Sequence, residues 1–230
     1  MAKNPHDNHR ERLRARFLAA GESFEDHELL ELMLFYCIPR VNTNEIAHRL
    51  LERFGSIKGV FNAGPLALMT VDGIGESSAL YIRAISEAIS RYSRCSIDTR
   101  KLLDSREILY EYMQSLFIGT NRETFYLILL TAGKRLILCE KVGKGNAIGA
   151  SIDPRSICQL AINTEAAFAI VAHNHPDGKA IPSGEDLQLS EHLEWMFNEM
   201  QIKLIDHFIV AENKCVPILN GYKSPLLTNE

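Results

Sequence analysis

The run Ala167-Phe168-Ala169-Ile170-Val171-Ala172 passes without a break into His173-Asn174-His175, and this junction constrains the fold more than any other stretch. Consecutive small and apolar residues suit a strand covered on both faces. The loop Pro176-Asp177-Gly178-Lys179-Ala180-Ile181-Pro182 follows, and Ser183-Gly184-Glu185-Asp186 then opens a helix read over 185–200. Residues two apart on an extended segment point to the same side, so His173 and His175 face one way at the strand's mouth. Ser183-x-x-Asp186 is a capping-box pattern, which sets Asp186 in the first turn of the helix. Two imidazoles and a carboxylate that can fold back on them form a donor set suited to zinc. Catalytic zinc combines three protein ligands with water.

The surrounding chain changes texture near Thr124. Before it, segments such as Glu28–Leu34 and Glu45–Leu51 carry apolar residues at helical spacing, broken at Pro39, Gly55, Gly59, Pro65 and Gly73. Ser93 to Leu103 is polar and reads as a linker, or as a stretch into which the preceding helix continues, and Ser105 caps a helix reaching Phe117. After it, Phe125–Leu130 and Arg135–Glu140 read as a hairpin turned at Gly133. Asp153-Pro154 starts a helix, and Leu204–Val210 is a further strand. The expected class is α+β: a small all-α domain over 1–95, then a layered α/β domain with a central mixed sheet over 105–227. Hydrophobic residues make up 46% of the 230-residue chain, enough for real cores. The net charge of −4 argues against binding nucleic acid by bulk charge. The five cysteines include no CxxC pair, so neither a disulfide framework nor a cysteine zinc site is expected. The N-terminus lacks an apolar signal core and no run is long enough to span a membrane, so the expectation is a cytoplasmic protein with no membrane partner.

The whole pattern, His-x-His, seven residues, then Ser-x-x-Asp, matches the JAMM motif of JAB/MPN metallopeptidases. His-Asn-His-Pro-x-Gly, Pro-Ser-x-x-Asp and the downstream Asp206-His207-Phe208-Ile209-Val210 resemble the RadC branch of that superfamily. The resemblance spans roughly 105–227 and implies a cytidine-deaminase-like layered fold. It implies one Zn2+ per chain held by His173, His175 and Asp186, with Ser183 stabilising an oxyanion. It also implies a glutamate acting as general base just before an early strand. Glu123 fits that description, and Glu140 is the alternative. His207 is either a supporting group or a core histidine. Asp177 stands where the family usually has serine, which changes the polarity of the loop and not the ligand set. The implied activity is hydrolysis of an amide or isopeptide bond in an unknown protein or peptide. The family name also carries a link to DNA repair. The alternatives are a DNA-binding protein with a structural zinc, or a zinc nuclease.

In the N-terminal half, Asp72-Gly73-Ile74-Gly75-Glu76 lies between two helical patterns and resembles a helix-hairpin-helix element. Gly73 and Gly75 permit a tight turn whose following amides can grip a phosphate, although Glu76 adds a negative charge there. Arg12 and Arg14, with Arg10 and Arg16, could engage phosphates or form a solvated helix face. The resemblance thus makes DNA a candidate partner through this domain. The sequence says nothing about oligomeric state.

Overall fold

The computed structural model describes residues 5–146, 149–211 and 214–219. The chain divides into two compact units, 1–89 and 90–230. The first is helical: α1 (Pro5–Ala20), α2 (Asp26–Leu34), α3 (Thr43–Phe54), α4 (Ile57–Asn62), α5 (Pro65–Leu68) and α6 (Glu76–Ser96), inside which the division falls. Local chemistry sets the helix ends. A Glu25/Glu28 capping box starts α2, Asn42 caps α3, left-handed Gly55 ends it, and Ser56 caps α4. The core of this unit joins Leu30 and Leu34 of α2, Ile46, Ala47 and Leu50 of α3, and Ala79 and Ile82 of α6. The spacing of each set is helical, so each helix turns one stripe inward.

The second unit is a sheet between two helical layers. Its elements are α7 (Arg106–Leu116), β1 (Thr124–Leu130), β2 (Leu136–Asn146), β3 (Gly149–Ile152), α8 (Pro154–Asn163), β4 (Phe168–Asn174), α9 (Gly184–Glu199), β5 (Lys203–Ala211) and β6 (Lys214–Pro217). The order across the six-stranded sheet is β3-β2-β1-β4-β5-β6, with β4 and β5 parallel and the other neighbours antiparallel. Phe125, Leu127 and Leu129 of β1 pack with Ile157 of α8 and Leu193 and Phe197 of α9. Ile128 and Leu130 face the other way, onto Leu109, Met113 and Leu116 of α7. Both faces are covered, which is why β1 and β4 read as continuous apolar runs. The mixed α+β class stands as expected.

Three details differ from the sequence reading. The stretch 93–103 follows the helical alternative at its start, α6 continuing to Ser96, but Ile97, Leu102 and Leu103 are buried in the core beside α7 and not exposed as in a linker. Its polar residues mask three apolar anchors. The β1–β2 turn takes its left-handed residue at Lys134 (φ 60) and not at Gly133. Thr131 N–H donates to Arg135 O at 2.9 Å across that turn. The short edge strands β3 and β6 had no apolar alternation to announce them. The expected end of the second domain, at 227, lies outside the described residues.

Candidate metal centre

The antiparallel register of β1 and β4 sets Phe125 opposite His173. Opposed residues project to the same face, and the Phe125 ring stacks on the His173 imidazole at 4.6 Å. Glu123 lies just before β1 and His175 just after β4, at the same end of the paired strands. Asn174 ties the two strand ends together: its Oδ1 accepts from Thr124 N–H at 2.9 Å. The β1–β4 pairing therefore brings the ends that carry Glu123 and the histidine pair together, and donor atoms of all three lie in one cluster. Glu140 lies opposite Leu127, deeper in the sheet and exposed. It is not in the cluster, whereas Glu123 is.

Asp186 reaches the same place from α9. Ser183 caps the helix, its Oγ accepting from Asp186 N–H at 3.1 Å. In return, Asp186 Oδ2 accepts from Ser183 N–H at 2.8 Å and Ser183 O–H at 2.7 Å. This leaves Oδ1 aimed at His173 Nε2, 3.1 Å away, with His175 Nε2 at 3.5 Å from Oδ2. One donor atom from each of Glu123, His173, His175 and Asp186 lies within 4.8 Å of the others. Burial opposes ionisation of Asp186, and the two hydrogen bonds from Ser183 favour the carboxylate.

The imidazoles are oriented from behind. His175 Nδ1–H donates to Lys179 O at 2.7 Å. Asp177 shapes that turn, its Oδ1 accepting from Lys179 N–H at 3.2 Å beside Gly178 at φ 81. The aspartate that departs from the expected serine thus helps aim a carbonyl at His175. His173 Nδ1 lies 2.8 Å from His207 Nε2, and His207 Nδ1 lies 2.7 Å from Ser190 Oγ. His207 is fully buried; burial, then the neighbouring His173, pushes its pKa down to about 3. Beside it, buried Asp206 Oδ1 accepts from His207, Ile218 and Leu219 N–H at 2.8, 3.0 and 2.9 Å, pinning the chain after β6.

His207 reaches the site because the β4–β5 register slips. Ala169 pairs with Leu204, but Val171 pairs with His207, so β5 carries one extra residue. Plain alternation from Leu204, which faces α8 and α9, would have turned His207 the opposite way.

The donor set suits a metal. With His175 Nδ1–H committed to an acceptor, its Nε2 lone pair faces His173 Nε2 at 2.9 Å, a spacing that a cation held by both nitrogens would fit. The separations of 2.9–3.5 Å among the two Nε2 atoms and the Asp186 oxygens are close to the roughly 3.3 Å expected of donors on one tetrahedral zinc ion. Sequence reasoning passed over Ser190, Asn174 and the Lys179 carbonyl. Ser190 had a signal, lying one turn beyond Asp186 on the same helix face; the other two had none.

The N-terminal candidates lie in the first unit. Arg10 donates to Phe35, Ile38 and Val41 carbonyls at 3.4, 2.8 and 2.8 Å, closing the end of α2. Arg14 lies over Phe35 and Tyr36, and Arg16 pairs with Glu28. Arg12 is exposed, with no partner among the described residues. Gly73 has φ 93 and packs under Ile46, while Gly75 N–H is held by Ser78 Oγ at 3.0 Å.

Comparison with known proteins agrees with this architecture. The family model described as RadC-like JAB domain matches residues 103–221. A UPF0758 protein of Fusobacterium nucleatum is 33% identical over 221 residues, 93% of this chain and 95% of the relative. A UPF0758 protein of Rhodobacter capsulatus is 31% identical over 203 residues, 88% of this chain and 95% of the relative.

Proposed function

The chain belongs to the family defined by the RadC-like JAB domain, and from that premise we propose that it is a zinc-dependent hydrolase cleaving an amide or isopeptide bond. The observation that carries this reading is the convergence of Glu123, His173, His175 and Asp186, with donor atoms within 4.8 Å of one another. His173, His175 and Asp186 would hold one zinc per chain, and Glu123 would serve the water in the remaining position. Zinc bound there supplies Lewis acidity and makes water a stronger acid, with a pKa near about 7. The Glu123 carboxylate takes the proton of the attacking water and returns it to the leaving nitrogen. The Ser183 hydroxyl turns from Asp186 and donates to the oxyanion of the tetrahedral intermediate.

Two rival readings differ in what Glu123 does and what is cleaved. In a closed structural site, Glu123 would be the fourth ligand, and its loss would release the metal. A nuclease would attack a phosphodiester. Three variants and two probes separate these readings. Elemental analysis of His175→Ala should find no zinc, and about one per chain in that variant sinks the ligand assignment. Glu123→Gln should keep its zinc and lose turnover of a fluorogenic isopeptide-linked lysine peptide by ~10²-fold or more. Loss of zinc from Glu123→Gln favours the closed site, and cleavage of a phosphodiester probe alone favours the nuclease. Ser183→Ala should lower kcat on the isopeptide by about 10²-fold while zinc stays.

A further inference from the structure

We infer that Ser190 and His207 form a one-way hydrogen-bond relay that fixes the tautomer of His173, so that its Nε2 lone pair is presented to the metal. Both act as positioning residues for the site proposed above, and the inference rests on that reading.

The direction of the relay follows from its far end. Ser190 Oγ lies 2.6 Å from the Asp186 carbonyl oxygen. A carbonyl has no proton to give, and two oxygens this close need a hydrogen between them, so the Ser190 proton points there. Ser190 has no second proton. Its contact of 2.7 Å with His207 Nδ1 is therefore an N–H of His207 donating to Oγ. His207 is fully buried, and both its ring nitrogens are taken by neutral groups, so the neutral ring is the form that fits. Its Nε2 then carries a lone pair. At 2.8 Å, that lone pair accepts the Nδ1 proton of His173. A neutral His173 with its proton on Nδ1 has only a lone pair on Nε2. That nitrogen is the one 3.1 Å from Asp186 Oδ1 and 2.9 Å from His175 Nε2.

The two ligand histidines are thus set by different devices. His175 uses a loop carbonyl, and His173 uses a buried side-chain relay that ends on the backbone of the helix carrying Asp186. The relay joins β4, β5 and α9 through atoms that can be satisfied in one proton arrangement only. The other His207 tautomer would set its Nδ1 lone pair against the Ser190 oxygen, whose one proton is already given to the Asp186 carbonyl. Groups behind a ligand histidine commonly change metal affinity by about 10–100-fold.

The test combines nitrogen NMR of histidine-labelled, metal-free protein at alkaline pH with zinc affinity measured against a chelator. Wild-type His173 should be protonated on Nδ1. Ser190→Ala and His207→Leu should weaken zinc binding by about 10–100-fold. His207→Gln, whose amide oxygen can accept the Nδ1 proton, should recover most of that loss. Should His207→Leu fail to fold, Ser190→Ala removes a single hydroxyl and carries the same expectation. Wild-type protein that takes up no zinc sinks the metal reading and this inference with it. Wild-type protein that binds zinc but carries the His173 proton on Nε2 when metal-free overturns the relay alone. Equal affinities in wild type, Ser190→Ala and His207→Leu do the same.

Discussion

Gly73 and Gly75 look equivalent in the sequence and are not. At φ 93, Gly73 occupies backbone that L side chains rarely adopt, and an added Cβ would lie 2.7 Å from Ile46 Cδ1. Gly75 has ordinary backbone and nothing within 4 Å of the same atom. Gly73→Ala should therefore destabilise the fold by about 1–3 kcal/mol, from the strained conformation and the overpacked contact together. Gly75→Ala should stay within about 0.5 kcal/mol, as an open surface position does. Urea unfolding of the two variants checks the contrast, and equal midpoints would contradict it. The same residue-by-residue difference runs through the arginines: Arg10 closes a helix end, while Arg12 is free of contacts among the described residues.

Individual elements are set by caps and by register. Asp153 caps α8, accepting from Arg155 N–H at 3.1 Å. The Ser156 hydroxyl, aided by backbone N–H groups and Arg155, holds its carboxyl below the ordinary range against the opposing effect of burial. A carboxyl lowered on folding contributes stability above its unfolded pKa, about 3.9, and loses that contribution as pH falls through the folded value. Asp153→Ala should thus melt below wild type at neutral pH. The difference should shrink as the pH drops below about 3.9, and a gap that stays constant down to pH ~2 would show that the charge plays no part in the cap. Strand β5 illustrates register: one extra residue before His207 decides which face its side chain serves. The Leu204–Val210 strand was legible from its apolar run, but no periodicity shows where a ladder slips.

At the scale of the whole molecule, the two units have different chemistry. The second carries the cluster of potential metal donors, and among the described residues no helix is long and apolar enough to cross a membrane. The first carries the segment that resembles a helix-hairpin-helix, and with it the DNA proposal. Of the arginines at 10, 12, 14 and 16, the internal use of Arg10, Arg14 and Arg16 leaves Arg12 for phosphate. Arg12→Glu is consequently the variant that reports on duplex binding. It should weaken binding at about 50 mM salt, with a shallower salt dependence than wild type. No binding by wild type under those conditions removes the DNA proposal.

The sequence by itself determined the mixed class, the buried strand that ends in two same-sided histidines, and the capped helix that delivers Asp186. Each follows from short-range rules: alternation along a strand, 3.6-residue periodicity, and the geometry of an N-cap. The resemblance favoured Glu123 over Glu140, but only the tertiary structure set Glu123 beside the histidines and Glu140 away from them, because that depends on which ends of β1 and β4 pair. Only it turned His207 toward His173, through a slip in the ladder, and only it exposed the apolar anchors hidden in 93–103. Those outcomes are set by pairing between segments distant along the chain, where local spacing carries no information about register.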